Sequence, residues 1–161
     1  MCELFGMGAH HPTNIHLSLG ELARHGGETG PHRDGWGVGF LQDGDALVVR
    51  EPTAASESRH LAFLKEHEVR SSTVVAHIRK ATQGPRLLRN TQPFARELGG
   101  RVHLFAHNGM LLGIEADARF ATQRFRRVGD TDSEQAFARS SNASPVSAKP
   151  ASRTSRRGSR W

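Results

Sequence analysis

At 161 residues the chain can form one ordinary domain with a buried core. Its single cysteine excludes an intramolecular disulfide framework, and no apolar run approaches the ~20 residues of a membrane-spanning helix. The net charge of +6 suggests a polyanion binder, but five of the 22 basic residues (Lys149, Arg153, Arg156, Arg157 and Arg160) crowd into an acid-free segment, 140–161, and the other 17 nearly balance the 16 acidic residues.

The body reads as mixed β and α. Cys2 to Met7 is a short apolar run suited to a first strand. Ile15 to His25 carries Ile15, Leu19 and Leu22 at helical spacing, with Ser18 and Glu21 placed to form a capping box. The glycine-rich stretch from His25 to Pro31 is a loop. Trp36 to Leu41 and Ala46 to Arg50 read as two strands joined through Asp43-Gly44, a hairpin signal. Ser56 to Glu68 predicts a helix with Leu61 and Leu64 inward. Ser72 to Ile78 contains the β-branched run Thr73-Val74-Val75 of a buried strand. Arg101 to Ala106 predicts a further strand, ending at His107-Asn108-Gly109. Thr131 to Phe137 opens a helix, with Thr131 as N-cap and Glu134 three residues on.

After Phe137 the composition changes. Ser140 to Arg160 is rich in Ser, Ala, Pro and Arg, with Val146 its only large aliphatic residue. Such a segment buries too little apolar surface to offset its ordering entropy, so a disordered basic tail over 139–161 is expected. The opening MCELFGMGAHH has neither a basic n-region nor a sustained apolar stretch, so a cytoplasmic location and no membrane partner are expected.

Cys2 is the first chemical candidate. Initiator methionine is normally removed before a small second residue. The new terminus would then carry a thiol and a free α-amine on one carbon. An α-amine titrates near pH ~8, so it can accept the proton of a thiol that becomes nucleophilic once deprotonated. The plain alternative is a small buried hydrophobe.

Further segments, in order, point to a family. Met1-Cys2-Glu3-Leu4-Phe5-Gly6-Met7, Gly30-Pro31-His32-Arg33-Asp34-Gly35-Trp36-Gly37, Ala76-His77-Ile78-Arg79-Lys80-Ala81-Thr82-Gln83-Gly84, His107-Asn108-Gly109 and Thr131-Asp132-Ser133-Glu134 together resemble the class II (N-terminal cysteine) glutamine amidotransferases of the stand-alone YafJ type. The resemblance covers roughly residues 2–138. It implies an α+β, N-terminal-nucleophile (Ntn) hydrolase fold, a four-layer αββα sandwich, incomplete at the C-terminus because members of the family continue well past this point. It also implies a partial amidotransferase domain over 2–138, with no metal and no cofactor.

The same resemblance implies residue roles. Cys2 would be the nucleophile. Asn108 and Gly109 would donate to the oxyanion; losing one such donor typically costs ~10²–10³-fold in rate. Arg79 and Thr82 would bind the glutamine α-carboxylate, which suits the planar guanidinium. Asp132 would pair with the α-ammonium. Trp36 and Gly37 would shape the pocket wall. The substrate would be glutamine or another γ-glutamyl compound; in full amidotransferases the ammonia is passed to a synthetase partner, and hydrolysis is the more literal expectation here. Position 83 is Gln, where many relatives carry His.

Each residue also has a simpler reading. Asn108-Gly109 is a hairpin-turn signal. Arg79 could be a surface arginine at a strand end, and Asp132 could complement a helix dipole. Three other functions compete. A metal-binding protein could use some of the ten histidines; His103 and His107, four apart on a strand, are too far apart to chelate readily. The basic tail could bind nucleic acid, but no aromatic residue interleaves its arginines before Trp161, so nucleic acid is not the expected partner. An inactive, truncated remnant of the family is the third.

Overall fold

A computed structural model describes residues 1–114 and 125–143. Strands β1 (Glu3–Thr13), β2 (Trp36–Gln42), β3 (Asp45–Glu51) and β4 (Ser71–Ile78) form an antiparallel sheet in the order β1-β4-β2-β3. Strands β5 (Phe94–Leu98) and β6 (Arg101–Phe105) form a second, two-stranded antiparallel sheet. Helices α1 (His16–His25) and α2 (Arg59–Glu66) cover the first sheet, and α3 (Asp132–Ala143) covers the second.

Strand alternation explains the layers. In β2, Trp36, Val38 and Phe40 are buried on one face; in β4, Val74, Ala76 and Ile78 join them. They pack with Ile15, Leu19 and Ala23 of α1 and Leu61 and Leu64 of α2 in one core. The opposite face of β2 carries Gly37 and Gly39. A Cβ on Gly39 would meet Leu104 Cδ1 at 2.5 Å, so β6 lies directly on β2. On the far side of the second sheet, Phe105 stacks on Phe137 of α3 with ring centroids 5.1 Å apart. The order is α, β, β, α, as the family resemblance implies.

Local chemistry sets most boundaries. Asp43 and Gly44 have φ of 52° and 88°, the left-handed pair that a two-residue hairpin requires. Ser58 caps α2 by accepting the Leu61 N–H (3.0 Å), so the helix starts at Arg59 and is shorter than apolar spacing suggests. Thr131 Oγ1 accepts the Glu134 N–H (3.3 Å) at the start of α3, as predicted.

Other expectations need correction. Ser18 and Glu21 form no capping box: Ile15 is the N-cap of α1, without a side-chain cap, and Glu21 pairs with Arg24 and His25. β1 runs on to Thr13, and β5 has no counterpart in the sequence reading. Trp36 forms no pocket wall; it is buried in the helix-side core and its indole N–H donates to Glu51 (3.0 Å). Helix α3 continues to Ala143, taking in residues that composition assigns to the tail. Arg139 and Ser141 are buried there. The remainder of the tail, 144–161, lies outside the described residues. Among the described residues, no helix is long and apolar enough to cross a membrane.

Candidate active site

The site forms where β1 and β4 end together. Glu3 pairs with Ile78, so Cys2 lies beside the chain leaving β4. Its Sγ accepts the Lys80 N–H (3.4 Å) and its thiol donates to the Lys80 carbonyl (3.5 Å). These contacts hold the sulfur in the lining of a small cavity.

That cavity is lined by Cys2, Arg79, Lys80, Thr82, Gln83, Gln92, His107, Gly109, Thr131, Asp132 and Ser133, with about 30 Å³ of solvent-accessible space. Five of the six residues singled out from the sequence therefore meet on one surface. Asn108 does not line it; the residue is exposed on the loop after β6. Gln92, His107 and Ser133 are lining residues for which the sequence reading gave no site role. His107 sits beside the Asn108-Gly109 motif, but nothing in periodicity marks Gln92. A larger groove, about 580 Å³, lies at the other end of β4 around Arg70, Ser71, Arg101 and His103 and shares no residue with the cavity.

Arg79 is buried, 4% exposed. Its guanidinium donates to the carbonyls of Gln83 (2.6 Å), Gly84 (2.9 Å) and Pro85 (3.0 Å), closing the 79–86 loop around itself. Burial lowers its pKa from the usual guanidinium value, opposed by the nearby Asp34 carboxylate and Cys2. Asp34 accepts the Ala81 N–H (2.7 Å) and binds Arg86, tying the glycine-rich loop before β2 to the same segment.

Asp132 is 8% exposed. One oxygen accepts the Leu111 N–H (2.7 Å) and the other accepts the Ser133 N–H (2.8 Å) and hydroxyl (3.3 Å). Among the described residues these donors are neutral, so the carboxylate keeps a net charge to offer a cation. Ser133 also contacts His107 Nδ1 (3.2 Å). Gln92 brackets His107, accepting its backbone N–H (2.6 Å) and donating to its carbonyl (3.3 Å).

Behind the cavity, His77 is fully buried with neither ring nitrogen hydrogen-bonded among the described residues. Burial, then Arg79, His107 and His32, lowers its pKa from 6.5 to about 4. The folded state thus binds fewer protons at this ring than the unfolded chain between those pH values. Its contribution is intact above pH 6.5 and is lost as pH falls towards 4. The difference reaches about 2 kcal/mol at pH 5. Thermal unfolding of wild type should therefore drop more between pH 7 and pH 5 than that of His77→Gln. Parallel curves for the two proteins would remove His77 as the source.

Comparison with known proteins identifies the family. Residues 1–154 match the family model of "Glutamine amidotransferases class-II". The chain is 44% identical over 137 residues to YafJ of Escherichia coli K12, itself provisionally named a glutamine amidotransferase, covering 85% of this chain and 52% of that protein. A Haemophilus influenzae protein with the same provisional name is 41% identical over 138 residues, covering 85% and 46%. A crystal structure described as a predicted glutamine amidotransferase from Pseudomonas aeruginosa PA01 superposes with a TM-score of 0.56 at 35% identity, covering 88% of this chain and 54% of that one. The chain thus spans about half the length of the relatives it matches. With the family model running from the first residue through α3, and the sheet stacking shared with a solved relative, this chain belongs to the class II glutamine amidotransferases.

Proposed function

We propose that the chain is an N-terminal-nucleophile amidohydrolase acting on glutamine or another γ-glutamyl amide. The observation that carries the reading is the convergence of Cys2, Arg79, Thr82, Gly109 and Asp132, remote in sequence, on one cavity.

Removal of Met1 frees the Cys2 α-amine. The amine takes the thiol proton, and the thiolate attacks the substrate Cδ. The carbonyl oxygen becomes an oxyanion facing the Gly109 N–H, and the Asn108 side chain must turn in from its exposed position to donate to it as well. Collapse expels ammonia, which takes the proton back from the ammonium, and leaves a γ-glutamyl thioester. Water then attacks the thioester, returning the thiol and releasing glutamate. Asp132 meets the substrate ammonium, and Arg79 with Thr82 meets its carboxylate. About 30 Å³ holds water and not a glutamine, for which a cavity must be many times larger than the ~10–15 Å³ one water needs. Substrate binding therefore includes movement of the 79–86 loop, with the substrate carboxylate replacing loop carbonyls on Arg79.

The direct test is intact-mass spectrometry after incubation with 6-diazo-5-oxo-L-norleucine. The expected product lacks Met1 and carries one adduct at Cys2. A protein that has lost Met1 but remains unlabelled contradicts the reading.

Asp132→Asn should raise KM for glutamine about tenfold or more, since a hydrogen bond to a charged group contributes ~1.5–3 kcal/mol, while kcat changes less. Asn can keep the acceptor facing one of the two backbone N–H groups, so folding is preserved. An unchanged KM removes Asp132 from substrate binding.

A further inference from the structure

We propose that His32 orients the Cys2 α-amine so that its lone pair faces the thiol; this rests on the reading that the amine is the catalytic base. His32 is 8% exposed, and its Nε2 lies 2.8 Å from the Met1 carbonyl oxygen. That oxygen and the Cys2 nitrogen belong to one peptide group, roughly 2.3 Å apart by standard backbone dimensions. A ring nitrogen that reaches the first is at most about 5 Å from the second, so once Met1 is gone the freed terminus need move only an ångström or two to meet it.

The seat for this ring is built by several elements. Its Nδ1 faces the His25 carbonyl (3.3 Å) and Glu3 Oε1 (3.6 Å). Glu3 is itself held by His25 Nδ1 (2.8 Å), and His25 Nε2 reaches Glu21 (3.4 Å). Gly30 leaves the space, since a Cβ there would collide with the His25 carbonyl and press His32 Nδ1 at 3.1 Å. On the strand side, His77 feels the charge of His32 and Arg79, and Arg79 that of Cys2, whose sulfur contacts the Lys80 backbone. The titratable and charged groups around the His32–terminus pair are thus Glu3, His25, Glu21, His77, Arg79 and Lys80.

With Met1 in place, the carbonyl accepts, so Nε2 carries a proton. In the processed chain Nδ1–H stays among its oxygen acceptors, and Nε2 accepts one amine N–H. The amine lone pair is left free for the Cys2 thiol proton. The proton moves from sulfur to nitrogen with no other reactant. The resulting ammonium makes a charge-assisted bond to Nε2, about twice as strong as a neutral one, which favours the ammonium–thiolate pair.

The test is the pH profile of Cys2 labelling by 6-diazo-5-oxo-L-norleucine, per folded protein with Met1 removal verified by mass. In His32→Ala the midpoint should move up by about one pH unit, because the thiol must ionise with less help from the amine. At neutral pH the labelling rate should fall about tenfold. His32→Gln, whose side-chain oxygen can accept the same N–H without titrating, should keep the midpoint near wild type. A merely structural role would lower the rate at every pH and leave the midpoint in place. An unmoved midpoint in His32→Ala overturns the proposal. If that variant does not fold, His32→Leu decides, because it fills the space of the ring without an acceptor: an upward move of the midpoint supports the proposal, and an unmoved midpoint overturns it. Wild type unlabelled at Cys2 defeats the parent reading instead; wild type and His32→Ala labelled alike defeat only the role of His32.

Discussion

Wild-type protein incubated with glutamine should release ammonia, and Cys2→Ala should release none above background. Removing the nucleophile leaves only binding and oxyanion donors, so the loss should be at least ~10³-fold, on the scale seen when a covalent nucleophile is deleted. Cys2→Ser should fall nearly as far, because a hydroxyl ionises far less readily than the thiol it replaces. A Gly-Ser extension ahead of Cys2 tests the other half of the residue. It keeps the sulfur but turns the amine into a non-basic amide, and activity should fall with it. None of these changes should alter the melting temperature much. Cys2 is only partly buried, and its sulfur touches the fold through the Lys80 backbone. Ammonia release by Cys2→Ala at the wild-type rate would end the N-terminal-nucleophile account.

The residues legible in the sequence were those whose identity is fixed by local chemistry. Asp43-Gly44 announces the hairpin because two successive left-handed residues favour that pair. Thr131 announces the start of α3 because its hydroxyl satisfies a free N–H. The β-branched run Thr73-Val74-Val75 announces β4, and Val74 is buried in it. What stayed hidden was tertiary. Strand β5 alternates Phe94, Arg96 and Leu98 with Ala95 and Glu97, and it reads as polar until Arg96 is seen stacked 5.4 Å over Phe137 and paired with Glu134 at 3.3 Å. Ser18 and Glu21 had the right spacing for a capping box, yet Glu21 is drawn to Arg24 and His25. The site followed the same division. Cys2, Arg79, Thr82, Gly109 and Asp132 were named by motif, but that Arg79 spends its donors on three loop carbonyls could be seen only in the structure. So could the bracketing of His107 by Gln92, which joins residues 15 apart across the start of the second sheet.

Gly37→Ala should destabilise the protein by about 3 kcal/mol, the upper end of overpacking costs, and lower Tm by roughly 10 °C for a chain of this length. Gly37 lies mid-sheet, opposite His77 on β4 and Arg50 on β3. Its missing side chain would point at the second layer. A Cβ there would run into the Gln92 carbonyl oxygen and lie 2.8 Å from Arg50 Cγ. Arg50 can swing only by giving up its bond to the Thr91 carbonyl (2.8 Å), and Gln92 is backbone. The two sheets would have to part at this point. Displacing Gln92 also loosens its grip on His107, so Cys2 labelling per folded molecule should fall as well. Gly6→Ala is the matched control: it lies on β1 of the same sheet, and a Cβ there meets nothing within 4 Å. Replacing a strand glycine with alanine in open space should be neutral or stabilising by up to ~1 kcal/mol. If the two variants melt alike, the close stacking of β2 against the segment leading into β5 is wrong. The wall that holds Gln92 and His107 against Cys2 would then need another support.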